Sequence, residues 1–460
     1  MEPYTILTIY LLLPSTIFYF TIRRYLPSKN QSHLSTHPTV HKYTLASECR
    51  TIIRGSELTT GPRNRLTPRQ ARAGENQDLR RVFGVHNALT CVDEDQIRVF
   101  VEGVSGKMRI SNREWSNLGH VLRHVVWEVV QEIAVGDGIE SQDEDAGQGE
   151  VRVNLVLLVQ ALSLKLLLWV LFDMHSPIQA KHLIALAKVI HEICTDMKNG
   201  NPVPPFKQNE SLHAALAAVF PRQHHITHNP TTNPLNWILP CYANLWRCAL
   251  STFTETKNHS EYTKILMAFA GKPTHARFEQ MYAIFNTAID IDSFVHVRTG
   301  KEASIDSTSA SVSVSYIILE SLRLHPPTPH ISRTYHITKP ASPSPSADPI
   351  PTTSDSTFKD LISLTATASM QSCHLSPSTW GADVNEFKPF RWTKLSPVQG
   401  LSFLAFGARP GLCPAAREFG GRAAALVVGV LGSEISNGWE LEGGLDGDNG
   451  LGLELVKREE

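Results

Sequence analysis

The stretch Val151–Met174, VRVNLVLLVQALSLKLLLWVLFDM, leaves a folding chain few options. It is apolar on most sides of a helix, yet Arg152, Lys165 and Asp173 interrupt it before any charge-free run is long enough to span a bilayer. A helix with almost no polar face must be surrounded by other elements, so this run predicts a buried helix inside a large helical domain. The flanking patterns agree. Ser111-Asn-Arg-Glu114 is a capping box, serine reaching forward and glutamate reaching back. It opens a helix through Trp115, Leu118, Leu122, Val125 and Val129. Helical periodicity continues over about 179–197, 209–219, 234–250, 260–271 and 275–289. Few segments alternate with a strand period. The exception is a C-terminal hairpin, Trp439-Glu-Leu-Glu and Leu453-Glu-Leu-Val456 around a Gly/Asp/Asn turn.

At 460 residues the chain exceeds an ordinary single domain, although one large enzyme domain can reach this size. A formal net charge of −1 and the lack of a basic stripe argue against a nucleic-acid partner. The seven cysteines, Cys49, Cys91, Cys194, Cys241, Cys248, Cys373 and Cys413, are odd in number and scattered. With no CxxC pair, they fit free thiols in a reducing compartment. From Pro3 to Ile22 there is no charge, and Arg23, Arg24 and Lys29 follow. That pattern predicts a membrane anchor over 3–22 with its C-terminal side in the cytosol. A cleaved signal is disfavoured, because Glu2 precedes the run and bulky Tyr25 and Leu26 follow it. Residues 23–80, spaced by Pro27, Pro38, Pro62 and Pro68, read as a linker and the start of the globular body, which continues over 81–460. Within that body, Gly136–Glu150 reads as an acidic loop and Ser304–Ser315 as a serine-rich segment. Residues 339–357, rich in proline, serine and threonine, read as a surface insertion.

Three segments carry chemistry. In Phe406-Gly407-Ala408-Arg409-Pro410-Gly411-Leu412-Cys413-Pro414, a lone cysteine follows glycines that let backbone approach a flat ligand closely. The alanine-rich run from Ala423 predicts a helix after it, and a helix start beside the cysteine would favour the thiolate. Taken alone, Cys413 could equally be an inert buried thiol. Glu320-Ser-Leu-Arg323 places opposite charges on one helix face, a pairing that is usually a solvated surface contact. The third segment is Trp380-Gly-Ala-Asp383-Val-Asn-Glu-Phe387-Lys-Pro389-Phe-Arg391-Trp392.

In this order the three segments resemble the cytochrome P450 family, most strongly over 312–431 and more weakly from about 87 to 290. ILESLRLHPPTP resembles the family helix whose Glu320–Arg323 pair lies behind the haem. The Trp380–Trp392 segment resembles the fungal form of the family's later loop, from which Arg391 would complete a structural triad. The Cys413 loop resembles the haem-binding signature, with Arg409 and Ala415 at two positions where the family has glycine. The implied fold class is mainly α (α+β): one large helical domain with a small β region, behind an N-terminal transmembrane helix. The implied cofactor is heme b with the Cys413 thiolate as axial ligand and with Phe406 and Gly407 against the ring. Arg333, and more weakly Arg409, would meet its carboxylates. The implied activity is that of a monooxygenase inserting one oxygen atom from O2 into a small lipophilic substrate, in fungal secondary or lipid metabolism. Its partners would be an NADPH-cytochrome reductase and the endoplasmic reticulum membrane, with the catalytic domain cytosolic.

The family's acid and hydroxyl pair for proton relay has no counterpart at the nearest string, Ala270-Gly271-Lys272-Pro273-Thr274. Proline there breaks a helix interior, so the string reads as a helix end. Gly119 stands where the family carries an arginine four residues after its tryptophan. No catalytic residue is therefore assigned. Two other readings stay open: a haem-thiolate isomerase or dehydratase that needs no O2 activation, and a degenerate non-catalytic relative. His224-His225-x-x-His228 has metal-like spacing but lies in a Pro/Asn-rich loop without an acidic or cysteine partner. No P-loop or Rossmann glycine pattern is present.

Overall fold

A computed structural model describes residues 39–56, 66–136, 150–221, 232–284, 310–338, 361–408, 413–416, 419–435, 438–443 and 453–458. The expected anchor, the histidine motif at 224–228, the 339–357 insertion and Arg409 lie outside the described residues. In chain order the elements are β1 (Thr39–Tyr43), α1 (Ala46–Arg54), α2 (Pro68–Glu75), α3 (Gln77–Phe83), α4 (Glu94–Lys107) and α5 (Asn112–Gly136). Next come β2 (Glu150–Asn154), α6 (Leu155–Phe172), α7 (Ala180–Asn199), α8 (Glu210–Val219), α9 (Leu235–Lys257), α10 (Ser260–Gly271) and α11 (His275–Glu279). Then follow β3 (Tyr282–Ile284), β4 (Ala310–Val312), α12 (Val314–Leu324), β5 (His330–Thr338), β6 (Leu361–Ser369), α13 (Met370–His374) and α14 (Pro377–Trp380). The chain closes with α15 (Pro397–Ser402), α16 (Phe419–Ile435), β7 (Trp439–Glu442) and β8 (Glu454–Arg458). Small sheets flank this helical body, in strand orders β1-β6-β5, β2-β8-β7 and β3-β4.

The apolar run divides in two. Val151 and Val153 alternate in β2, which pairs antiparallel with β8, so the first four residues are strand rather than helix. Asn154 then caps α6, its side-chain oxygen accepting from the Leu157 amide at 3.0 Å. Sixteen of the residues in α6 are buried, as its lack of a polar face requires. Its three charges are each accounted for. Arg152 pairs with Glu442 and Glu454 across the sheet, at 3.2 and 2.9 Å. Lys165, 1% exposed, donates to the carbonyls of Ser176 (3.0 Å) and Met174 (3.4 Å) beyond the helix end. Asp173 terminates α6 in the left-handed region, φ 53°, and pairs with Lys107.

Within the 23–80 segment, β1 lies parallel to β6, and α1 buries Cys49, Ile52 and Ile53. The partner of β1 is more than 300 residues away in the chain, so no local pattern reveals it. The helix expected over 275–289 stops at Glu279, and β3 follows at Tyr282. The long pair β5–β6 flanks the insertion, whose serine and threonine content hides the strand alternation on either side. The capping box is present, with the Ser111 amide donating to Glu114 Oε2 at 2.7 Å and the Glu114 amide to Ser111 Oγ at 3.3 Å. Gly271 ends α10 as expected, and Thr274 caps α11.

The helix after the cysteine loop, α16, is held against α10 by a close approach at Gly429. A Cβ at that position would collide with the Leu266 carbonyl and sit 2.8 Å from Ala270 Cβ. Gly429→Ala is therefore expected to force the two helices apart, at about 1–3 kcal/mol of stability. Urea unfolding with a midpoint within error of wild type would refute this.

Candidate functional site

The site is built outward from one carboxylate. Glu320 and Arg323, one turn apart on α12, have no accessible surface, so the solvated-pair reading fails. Glu320 Oε1 accepts from Arg323 Nη2 (2.8 Å), Arg391 Nε (2.8 Å) and the Lys388 amide (3.0 Å). Its Oε2 accepts from Arg323 Nε and Trp392 Nε1, both at 2.9 Å. Arg323 also donates through Nη1 to the carbonyls of Val384 (2.7 Å) and His374 (3.1 Å). Arg391 donates to the carbonyls of Asp383 (3.1 Å) and Trp380 (3.3 Å). A buried charge cluster persists only when its members are satisfied in this way. The 380–392 segment is wrapped around α12 as a result, with Trp380, Val384 and Trp392 packed together.

A hydrogen-bonded path leads from this cluster to the cysteine. Arg323 holds the His374 carbonyl, and the His374 ring nitrogen Nε2 accepts from the Leu404 amide at 2.8 Å. The Leu404 carbonyl accepts from the Gly407 amide at 2.8 Å, and the Phe406 carbonyl accepts from the Cys413 amide at 3.0 Å. Gly407 turns the loop at φ 80°, a conformation that costs glycine nothing and other residues strain. His374 was not foreseen as part of the site. In sequence it is one histidine in a Cys-His-Leu-Ser-Pro string, and only the fold places Leu404 on its ring.

Burial pushes the His374 ring down to about 4, so it is neutral at pH 7 and can accept from Leu404. The unfolded ring takes up its proton near pH 6.5 and the folded one does not until about pH 4. Stability from this group is therefore complete above pH 6.5 and is lost as pH falls toward 4, by about 3 kcal/mol. His374→Gln, which can still accept from Leu404, is expected to flatten that slope in unfolding experiments between pH 7.5 and 4.5. An unchanged slope would show that other groups set it.

Opposite Cys413 stands α9, with Pro240 inside it. Proline has no N–H, so the Asn236 carbonyl loses its helical partner and accepts from Asn87 Nδ2 instead, at 2.8 Å. The next residue, Cys241, lies within electrostatic reach of Cys413. Both thiols are deep enough for burial to raise their pKa, that of Cys241 to about 12, yet neither side chain is fully covered. One turn beyond Cys241, Asn244 Oδ1 accepts from the Thr328 hydroxyl at 3.1 Å. The string at 270–274 is a helix end, as expected, and the helix that comes within reach of the cysteine is thus α9. The signal that could have found it is Pro240 within an otherwise continuous helical pattern.

The thiolate expectation is also modified. A 3-10 turn at Pro414–Ala416 follows Cys413, and α16 begins only at Phe419. Burial outweighs the Ala415 backbone hydrogen bond and leaves the free thiol raised, a balance that a bound cation would reverse. Arg333, on β5, is 9% exposed and donates to the carbonyls of Ser332 (2.8 Å) and Ile53 (3.2 Å), while its Nε has no partner. A thiol that is not fully covered and a buried guanidinium with an unused donor fit a haem with its iron and carboxylates.

No family model matches this sequence, and no curated protein matches it. Solved structures do match. CYP175A1 from Thermus thermophilus aligns over 91% of this chain and 89% of its own, with a TM-score of 0.50 and 13% identity. A six-coordinated cytochrome P450 from a second strain of Thermus thermophilus aligns over 91% and 92%, with a TM-score of 0.48 and 14% identity. The chain has the cytochrome P450 fold, mainly helical with small sheets.

Proposed function

We propose that this chain is a membrane-bound haem-thiolate monooxygenase acting on a small lipophilic substrate. The observation that carries the reading is Cys413 on a loop tied by hydrogen bonds to the buried Glu320–Arg323–Arg391 cluster, within electrostatic reach of Cys241 on α9. When bound there, heme b supplies the oxidising chemistry, inserting one oxygen atom from O2. Cys413 would hold the iron, Phe406 and Gly407 the ring, and Arg333 a carboxylate. The Glu320 cluster and His374 hold the loop in register. Residues 3–22 would anchor the chain in the endoplasmic reticulum membrane with the body in the cytosol. Electrons would come from NADPH through a separate cytochrome reductase.

One observation favours a second reading. The turn of α9 beyond Cys241 carries Ala243 and Asn244, and neither is an acid. A haem-thiolate isomerase or dehydratase, working on an already oxygenated substrate, needs no proton relay and no reductase. The test is turnover by the full chain in membranes, with and without NADPH and reductase. Dependence on both supports the monooxygenase; turnover of a peroxidised substrate without either supports the isomerase or dehydratase. A reduced protein that gives no thiolate-type shift with carbon monoxide would overturn both.

A further inference from the structure

Arg333 does not stand alone. Helix α2 packs along β5, where the Thr334 hydroxyl meets the Glu75 carboxylate, and this packing brings Arg72 within electrostatic reach of Arg333. Each of the two guanidiniums keeps a buried Nε with no hydrogen-bond partner. Neither has a carboxylate within ion-pair distance among the described residues. The other groups that act on them are Glu75 and Tyr335 on Arg333, and Arg69 and Cys91 on Arg72. Burial and mutual repulsion push Arg333 down to about 10, which still leaves it charged at neutral pH. Two like charges with idle donors are a costly arrangement for a fold to keep unless an anion joins them.

Their position relates them to the cysteine loop. Arg333 donates to the Ile53 carbonyl, and Ile53 shares one buried cluster with Tyr335, Leu404 and Ala408. Ala408 is the residue after Gly407 in the Cys413 loop. We infer that Arg72 and Arg333 form a two-arginine clamp for a carboxylate, and that the carboxylate is one carried by the ligand held at Cys413. This inference rests on the haem-thiolate reading and adds Arg72, from the N-terminal part of the chain, to the residues that hold the group.

The test compares haem with its dimethyl ester, which keeps the iron and ring but has no anionic carboxylates. Both are titrated into the full chain stripped of any porphyrin. Wild type is expected to bind haem roughly tenfold or more tightly than the ester, the ratio a charge-assisted hydrogen bond provides. Arg72→Gln and Arg333→Gln should each bring that ratio toward one, while Arg72→Lys should restore part of it. Circular dichroism confirms that each variant keeps its helix content. If Arg72→Gln is folded and keeps the wild-type ratio, or if wild type does not distinguish the two porphyrins, the clamp is wrong and the haem-thiolate reading stands. Equal binding of haem and ester with loss of both in millimolar inorganic phosphate would mark the pair as a site for a free anion, also against the proposal. If wild type binds neither porphyrin, the haem-thiolate reading falls and the clamp falls with it.

Discussion

Cys413→Ser is expected to abolish the thiolate-type Soret shift of the reduced, carbon monoxide-treated protein while leaving the fold intact. The fold should survive because the contact that shapes the loop is the Cys413 amide donating to the Phe406 carbonyl, which serine keeps. The spectrum should vanish because a serine hydroxyl is too weak an acid to supply an anionic ligand. Cys241 provides the control. It lies within electrostatic reach of Cys413, but on a helix, and burial raises its pKa to about 12. Cys241→Ser should keep the shift. If the two variants exchange behaviour, the axial ligand is Cys241 and the loop has been misread.

Glu320→Gln should have the largest effect on stability, at about 3–5 kcal/mol, because it leaves two guanidiniums without their shared carboxylate. Arg323 has no exposure and, among the described residues, pairs with no other carboxylate, so its charge would be left uncompensated in the core. Arg391 is less dependent, since Asp383 lies 3.6 Å away. Arg391→Lys should accordingly cost less than Glu320→Gln. Through Arg323, the loss should spread to His374 and then to Leu404, loosening the cysteine loop before the helical core unfolds. Hydrogen exchange would show this as early opening of 403–408. A Glu320→Gln protein within about 1 kcal/mol of wild type in urea unfolding would contradict the electrostatic account.

Residues whose role depends on local pattern were legible in the sequence. The capping box at Ser111, the end of α10 at Gly271, the C-terminal hairpin and the buried character of α6 all follow from spacing within a few turns or one strand pair. Glu320 and Arg323 were legible as a pair but not as buried ones, because i, i+3 charges look the same on any helix face. Arg391 and the Cys413 loop entered through resemblance, not through periodicity. The structure brings Arg391 to Glu320 at 2.8 Å, and it brings Cys241 within electrostatic reach of Cys413. Arg72 and Asn87 carried no signal by themselves. Each matters through a partner distant in the chain, as Asn87 does through the Asn236 carbonyl that Pro240 leaves free.

The sequence by itself determined that this chain builds a large helical body around α6, and that a lone cysteine stands after a glycine-bearing loop. Those features arise from side-chain period and backbone freedom, which act over a few residues. Only the tertiary structure decided which helix approaches the cysteine, which carboxylate neutralises two arginines, and which two buried guanidinium nitrogens are brought close to one another. Those depend on burial and on electrostatics between remote segments. A charge costs little in water and much inside a fold, so its meaning is set by what surrounds it.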